Sequence, residues 1–182
     1  MRPQVCVSMI AIAGVSLSTL PTFRDERGSL TELFRNGESA MLLPQQWNLV
    51  HSEVNTLRGV HVHLQHDDYL VVLSGELRLG LHDIRPRSPT RGASALIALQ
   101  GPASLGALVP QGVLHGFYFP EPTTYVYGLS QGWSPRDDLG CRWDDPALGI
   151  AWPATDPILS ERDRSAGSLA ALIEKLRPAW CA

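Results

Sequence analysis

The sequence predicts an all-β fold, an antiparallel sandwich or jelly roll closed by one short C-terminal helix. Three observations carry this. From about residue 10 to 130 the chain is a series of short apolar runs broken by Gly, Pro and Asn/Asp. Within Tyr69 to Asp83, Leu77, Leu79 and Leu81 alternate with Arg78, Gly80 and His82, the period of a strand with one buried face. A helical period is found over Ser165 to Leu176, where Leu169, Leu172, Ile173 and Leu176 share a face before Pro178 ends it. Many short strands and one terminal helix suit a jelly roll.

The elements follow in order. Val5 to Leu17 is apolar behind Arg2 and mimics a short signal peptide, but it runs without a cleavage-site break into Leu20 to Asp25, so a first strand is expected. Ser74-Gly75-Glu76 is expected to turn a hairpin between a continuous apolar run and the alternating one. Arg85 to Gly92 reads as a loop. Ala93 to Val109 gives two strands split by Gln100-Gly101-Pro102, and Gly112 to Tyr118 and Thr123 to Leu129 give two more. Residues 131–163, rich in Pro, Trp and Asp, read as irregular.

At 182 residues the chain is expected to form one domain, 1–182, with its core over about 10–165. A formal charge of −3 argues against a nucleic-acid binder. No segment has the roughly 20 apolar residues of a membrane span. Cys6, Cys141 and Cys181 are odd in number and widely spaced, which suits a reducing cytoplasm and opposes a thiolate zinc site.

Chemistry concentrates in Leu57-Arg58-Gly59-Val60-His61-Val62-His63 and in Pro110-Gln111-Gly112-Val113-Leu114-His115-Gly116-Phe117. Residues two apart on a strand share a face, so His61 and His63 point the same way. Unpaired burial of such groups costs several kcal/mol, which implies a polar pocket inside the β-fold. With Asp68, Gly75 and the Gly106-x3-Pro110-x-Gly112-x2-His115 segment, these residues resemble the two motifs of the cupin superfamily, a double-stranded β-helix (jelly roll). The resemblance implies a possible divalent-metal set of His61, His63, Asp68 and His115; the alternative is polar pocket lining without metal.

A more specific resemblance spans about residues 15–165. Asp25-x-Arg27-Gly28-x3-Glu32, Gln46-x-Asn48 and Arg58-Gly59-Val60-His61 come first. Asp83-Ile84-Arg85-x2-Ser88-Pro89-Thr90-x-Gly92 and Pro110-x-Gly112-x2-His115-Gly116-Phe117 follow. Trp143-x-Asp145-Pro146-x-Leu148-Gly149-Ile150-x-Trp152-Pro153 and Ser160-x2-Asp163 complete the series. In order and spacing this resembles the dTDP-4-dehydrorhamnose 3,5-epimerase family of cupins.

The resemblance implies an isomerase that inverts C3, C5 or both of a nucleotide-linked 4-keto-6-deoxy sugar through an enolate, without a cofactor. It implies His61 as base, Asp163 as its orienting carboxylate and Tyr127 as the acid on the opposite face. It assigns nucleotide and phosphate contacts to Arg27, Glu32, Gln46, Asn48 and Arg58, with His115 lining the pocket and Trp133 stacking on the base. Arg27 and Glu32 also suit an exposed ion pair, and Tyr127 an ordinary strand aromatic. The partners implied are the nucleotide-sugar substrate and a second copy of the chain, as a homodimer exchanging its N-terminal strand.

Two departures bear on activity. His63 stands where the family has glutamine, and the short segment Leu64 to Asp68 lacks the family's lysine, with Asp67 and Asp68 in that neighbourhood. Three accounts remain open: a pocket reshaped for another sugar nucleotide with His63, His66 or His115 supplying the lost hydrogen bond, a metal-dependent cupin enzyme using one divalent metal ion, or a non-catalytic sugar-nucleotide-binding cupin. A metal held by His61 would deny that residue its role as a free base.

Overall fold

The computed structural model describes residues 7–37 and 43–181. Among the described residues, thirteen strands form two facing sheets and a small hairpin. Their ranges are β1 Val7–Met9, β2 Ser16–Thr19, β3 Thr22–Asp25, β4 Gly28–Thr31, β5 Gln46–Ser52, β6 Thr56–Val62, β7 Asp68–Ser74, β8 Glu76–Asp83, β9 Ser94–Gln100, β10 Leu105–Val109, β11 Val113–Phe119, β12 Thr123–Leu129 and β13 Leu139–Gly140. One sheet has the order β1-β2-β10-β7-β12-β5, the other β13-β6-β11-β8-β9, and β3 pairs with β4 apart from both. All strand pairs are antiparallel. This is the expected all-β jelly roll.

The main core lies between the sheets. Leu77, Leu79 and Leu81 of β8 are fully buried there with Leu70, Val72, Phe119 and Tyr125. A second apolar layer covers the outer side of the five-stranded sheet: Val60, Val62, Leu114 and Leu148 pack with the C-terminal helix residues Leu169, Leu172 and Leu176. Both faces of β8 are therefore buried, and the side chain of Trp152 lies directly against Gly80.

Several expectations are corrected. Tyr69 to Asp83 is no hairpin: β7 pairs with β10 and β12, whereas β8 pairs with β9 and β11 in the other sheet. Gly75 turns the chain from sheet to sheet at φ 81°, where a Cβ would lie 2.5 Å from the Pro122 carbonyl oxygen. The apolar N-terminal stretch is two strands, because residues 11–14 turn and bury Ile12 and Val15 in the core; Val5 and Cys6 lie outside the described residues. The terminal helix, α2, spans Leu169–Cys181 and not 165–176. It starts late because Ser165 closes the preceding short helix, its Oγ donating to the Glu161 carbonyl at 3.0 Å. It continues through Pro178 because Trp180 still packs on the second core. That preceding helix, α1 Glu161–Arg164, was not anticipated.

Candidate active site

A cavity of about 680 Å³ opens between the two sheets. From the five-stranded sheet it is lined by Arg58 and His61 of β6 and by His115 and Phe117 of β11, with His63 at the end of β6. From the six-stranded sheet come Asp68 of β7 and Tyr125 and Tyr127 of β12. His66, Trp133, Asp138, residues 158–160, Arg162 and Asp163 also line it.

His61 and Asp163 meet although 102 residues separate them. Ile158 runs alongside the start of β6, its carbonyl accepting from Leu57 N at 3.0 Å and its N–H donating to Asn55 O at 2.7 Å. Ser160 then caps α1, its Oγ accepting from Asp163 N at 3.1 Å. This presents the Asp163 carboxylate to His61 Nε2 at 2.7 Å, while its other oxygen accepts from Gly59 N at 3.3 Å. Gly59 is required here: its φ is 117°, and a Cβ would lie 2.9 Å from Gly116 Cα. Burial alone would raise the Asp163 carboxyl, but the hydrogen bonds from His61, Gly59 and Ser160 outweigh it and hold the group near 2. A carboxylate can only accept, so a proton on Nε2 satisfies the Asp163 contact and leaves Nδ1 its lone pair.

Sequence reasoning missed Arg162 and Asp138. Arg162 Nη2 lies closer to His61 Nε2 than to Nδ1, which is 3.1 Å away, so this donor competes with Asp163 for the ring, and Arg162 Nη1 pairs with Asp138 Oδ2. Both residues fall in the irregular C-terminal part, where no periodicity marks a side chain as facing the cavity.

Tyr127 faces the cavity from the sheet opposite His61. Burial and then the nearby Asp68 and Asp138 raise its phenol above the ordinary value, so it holds its proton at neutral pH. Arg58 donates from Nε to Ser52 Oγ at 3.0 Å and is exposed at the cavity wall. Trp133 is half exposed there. Gln46 braces it, Oε1 accepting from Trp133 N at 2.9 Å, and donates through Nε2 to Asn48 Oδ1 at 3.0 Å. Gln46 and Asn48 thus sit behind the wall. Arg27 and Glu32 do not line this cavity: Arg27 pairs with Asp25 on the β3–β4 hairpin and Glu32 with Arg35.

Of the alternative metal set, His63, Asp68 and His115 come together and His61 does not, because it turns to Asp163. His66 takes the vacant corner, its ring stacked on that of His63 at 4.1 Å. Burial, then the neighbouring His66, lowers His63 to about 4; burial, then His63, lowers His115 to about 3; burial also lowers His66. All three rings are neutral at physiological pH.

A family model for dTDP-4-dehydrorhamnose 3,5-epimerase matches residues 9–171. The chain belongs to the dTDP-4-dehydrorhamnose 3,5-epimerase family. The Sinorhizobium fredii protein of that name is 34% identical over 175 residues, covering 90% of this chain and 89% of its own. A Legionella pneumophila epimerase in complex with dTDP-4-keto-L-rhamnose superposes with a TM-score of 0.86 at 26% identity, covering 95% of this chain and 97% of that one. ChmJ, a 3'-monoepimerase from Streptomyces bikiniensis in complex with dTDP-quinovose, gives 0.81 at 28% identity, covering 92% and 89%. Among the described residues, no helix of this family member is long and apolar enough to cross a membrane.

Proposed function

We propose that the chain epimerises a nucleotide-linked 4-keto-6-deoxy sugar at C3, C5 or both. The observation that carries this is the placement of the His61–Asp163 pair and Tyr127 on opposite sheets of one cavity. Inversion next to a ketone needs proton removal from one face and proton return from the other.

His61 Nδ1 is the base. Asp163 holds the ring in the Nε2–H tautomer and stabilises the imidazolium that forms. Arg162, which lies against both ring nitrogens of His61, swings away with Asp138 when substrate enters. Tyr127 returns the proton to the opposite face of the enolate. Arg58 meets the diphosphate and Trp133 stacks on the nucleotide base. Neither proton transfer needs a redox cofactor.

The active unit is a homodimer in the cytoplasm. Trp47 and Leu49 are exposed on the outer face of β5, an edge strand, and Phe23 and Leu30 are exposed on the β3–β4 hairpin. That hairpin carries Arg27 away from its own cavity, which suits a contribution to the partner's. Sedimentation analysis tests the dimer, with a monomer as the refuting result. The reaction is tested with dTDP-4-keto-6-deoxyglucose in deuterium oxide. Wild type introduces deuterium at C3 or C5 and His61→Ala does not; a wild type that exchanges neither position on this or another nucleotide's 4-keto-6-deoxy sugar overturns the reading.

A further inference from the structure

His63, His66 and Asp68 place ligand atoms within 4.8 Å of one another, and His115 adjoins the trio through its Nε2, which faces Asp68. The ring nitrogen of each histidine that points away from the cluster is occupied by an acceptor. His63 Nδ1 donates to the Asp137 carbonyl at 3.1 Å, His115 Nδ1 donates to the Val113 carbonyl at 3.1 Å, and His66 Nδ1 donates to the Asp137 carboxylate at 3.2 Å. Neither a carbonyl nor a carboxylate can donate back, so each ring carries its proton on Nδ1 and a bare lone pair on Nε2. All three Nε2 atoms face Asp68 Oδ2, at 4.0 Å for His63, 4.0 Å for His66 and 3.6 Å for His115.

These separations are too long for hydrogen bonds. A proton on Asp68 would satisfy at most one of the three nitrogens. Yet all four residues are buried, and His66 Nε2 has no hydrogen-bond partner at all. The separations approach the edges of a coordination polyhedron instead: nitrogen and oxygen ligands about 2.1 Å from an ion stand about 3.3 Å apart, so closing on one draws His115 in by about 0.3 Å and His63 and His66 by about 0.7 Å. The Nδ1 bonds are the outer contacts that orient metal-bound imidazoles. Asp137 is itself fixed, accepting from Leu64 N at 2.7 Å and Gln65 N at 3.0 Å.

We infer that His63, His66, Asp68 and His115 form a binding site for one divalent first-row transition-metal ion. The donor set of three imidazoles and one carboxylate suits zinc, cobalt, iron, manganese or nickel. His61 is outside the set and stays free to act as a base, so the site and the His61–Asp163 pair operate together in one cavity. The ion supplies positive charge beside Asp67, Asp68, Asp137 and Asp138, where the family's lysine is missing. Its use against an enolate oxygen rests on the epimerase reading; its binding does not.

The test uses the purified full-length chain, stripped with a chelator and titrated with Zn²⁺ by calorimetry and with Co²⁺ by visible absorption. One ion per chain is expected. His66→Ala and the isosteric Asp68→Asn each weaken binding at least ~10-fold, and His61→Ala leaves it within about twofold of wild type, the ligand set being intact. Circular dichroism verifies that each variant is folded. Failure of the wild type to bind either ion, or equal loss in His61→Ala and His66→Ala, overturns the inference. Metal binding with this residue dependence but without deuterium exchange supports the site and defeats the epimerase reading alone.

Discussion

Asp163→Asn separates the orienting carboxylate from mere packing. Asn is nearly isosteric, but its two terminal atoms differ. Gly59 N–H needs an acceptor, which fixes the amide oxygen towards Gly59 and turns the NH₂ towards His61 Nε2. A donor there forces Nε2 to accept and puts the proton on Nδ1, the atom that has to receive one. The charge is lost as well. The gap between the ordinary carboxyl value of 3.8 and about 2 corresponds to about 2 kcal/mol favouring the ionised form, a measure of how strongly its partners hold it. Losing that from the transition state slows turnover roughly 30-fold, and the inverted tautomer brings the total to about 10²–10⁴-fold. The assay is deuterium uptake followed by NMR, with kcat and KM measured separately. KM stays near wild type because Asp163 holds the base and not the nucleotide. An Asp163→Asn enzyme with kcat within threefold of wild type refutes the argument. Because the folded value lies below the unfolded one, the stabilisation from Asp163 is complete above about pH 4 and is lost as pH falls towards 2.

Tyr127→Phe is expected to retain deuterium exchange while inversion falls at least ~10²-fold, because only the return face loses its acid; chiral analysis of the product checks this. Gly80→Ala places a Cβ 2.3 Å from Trp152 Cη2, so it costs about 1–3 kcal/mol and lowers Tm by several degrees in a thermal melt. Asp83→Ala removes the acceptor shared by Arg85, Ser88 and Thr90, a network that also ties Arg85 to the Ala13 carbonyl. It costs about 3–5 kcal/mol in urea denaturation. Burial opposes ionisation of Asp83, but Arg85, Ser88 and Thr90 overcome it and hold the carboxyl below its ordinary value; its contribution is intact above about pH 4 and declines in stronger acid.

The strands were legible wherever burial acts locally. Leu77, Leu79 and Leu81 alternate because one face of β8 meets the core, and that pattern is written in adjacent residues. Which sheet a strand joins is not: β7 and β8 look like a hairpin because Gly75 turns the chain, and only the partners β10, β11 and β12 reveal the crossing. The His61–Asp163 pair came from resemblance, since no spacing rule links positions 102 apart. His66 was named only as a stand-in hydrogen-bond donor and not in the metal set, because it lies beyond the end of β6, where strand periodicity no longer says which way a side chain points. Arg162 and Asp138 sit in connecting segments without periodicity and could be found only by tracing contacts to His61. The Asp83 to Gly92 motif, read as part of the family pattern, proves to be a fastening of one loop to the N-terminal turn.

The docking of residues 158–163 beside β6 has a temporal consequence. A ribosome that has delivered β12 has already released every cavity-lining strand and both sheets except the short edge strand β13, but the imidazole of His61 still lacks the partner that sets its proton. In the proposed reaction the base becomes competent only when residues 158–163 emerge and Ile158 registers against Leu57. On that mechanism a chain lacking residues 158–163 is silent toward keto sugars even when its β-sandwich has formed, because Asp163 is absent from His61.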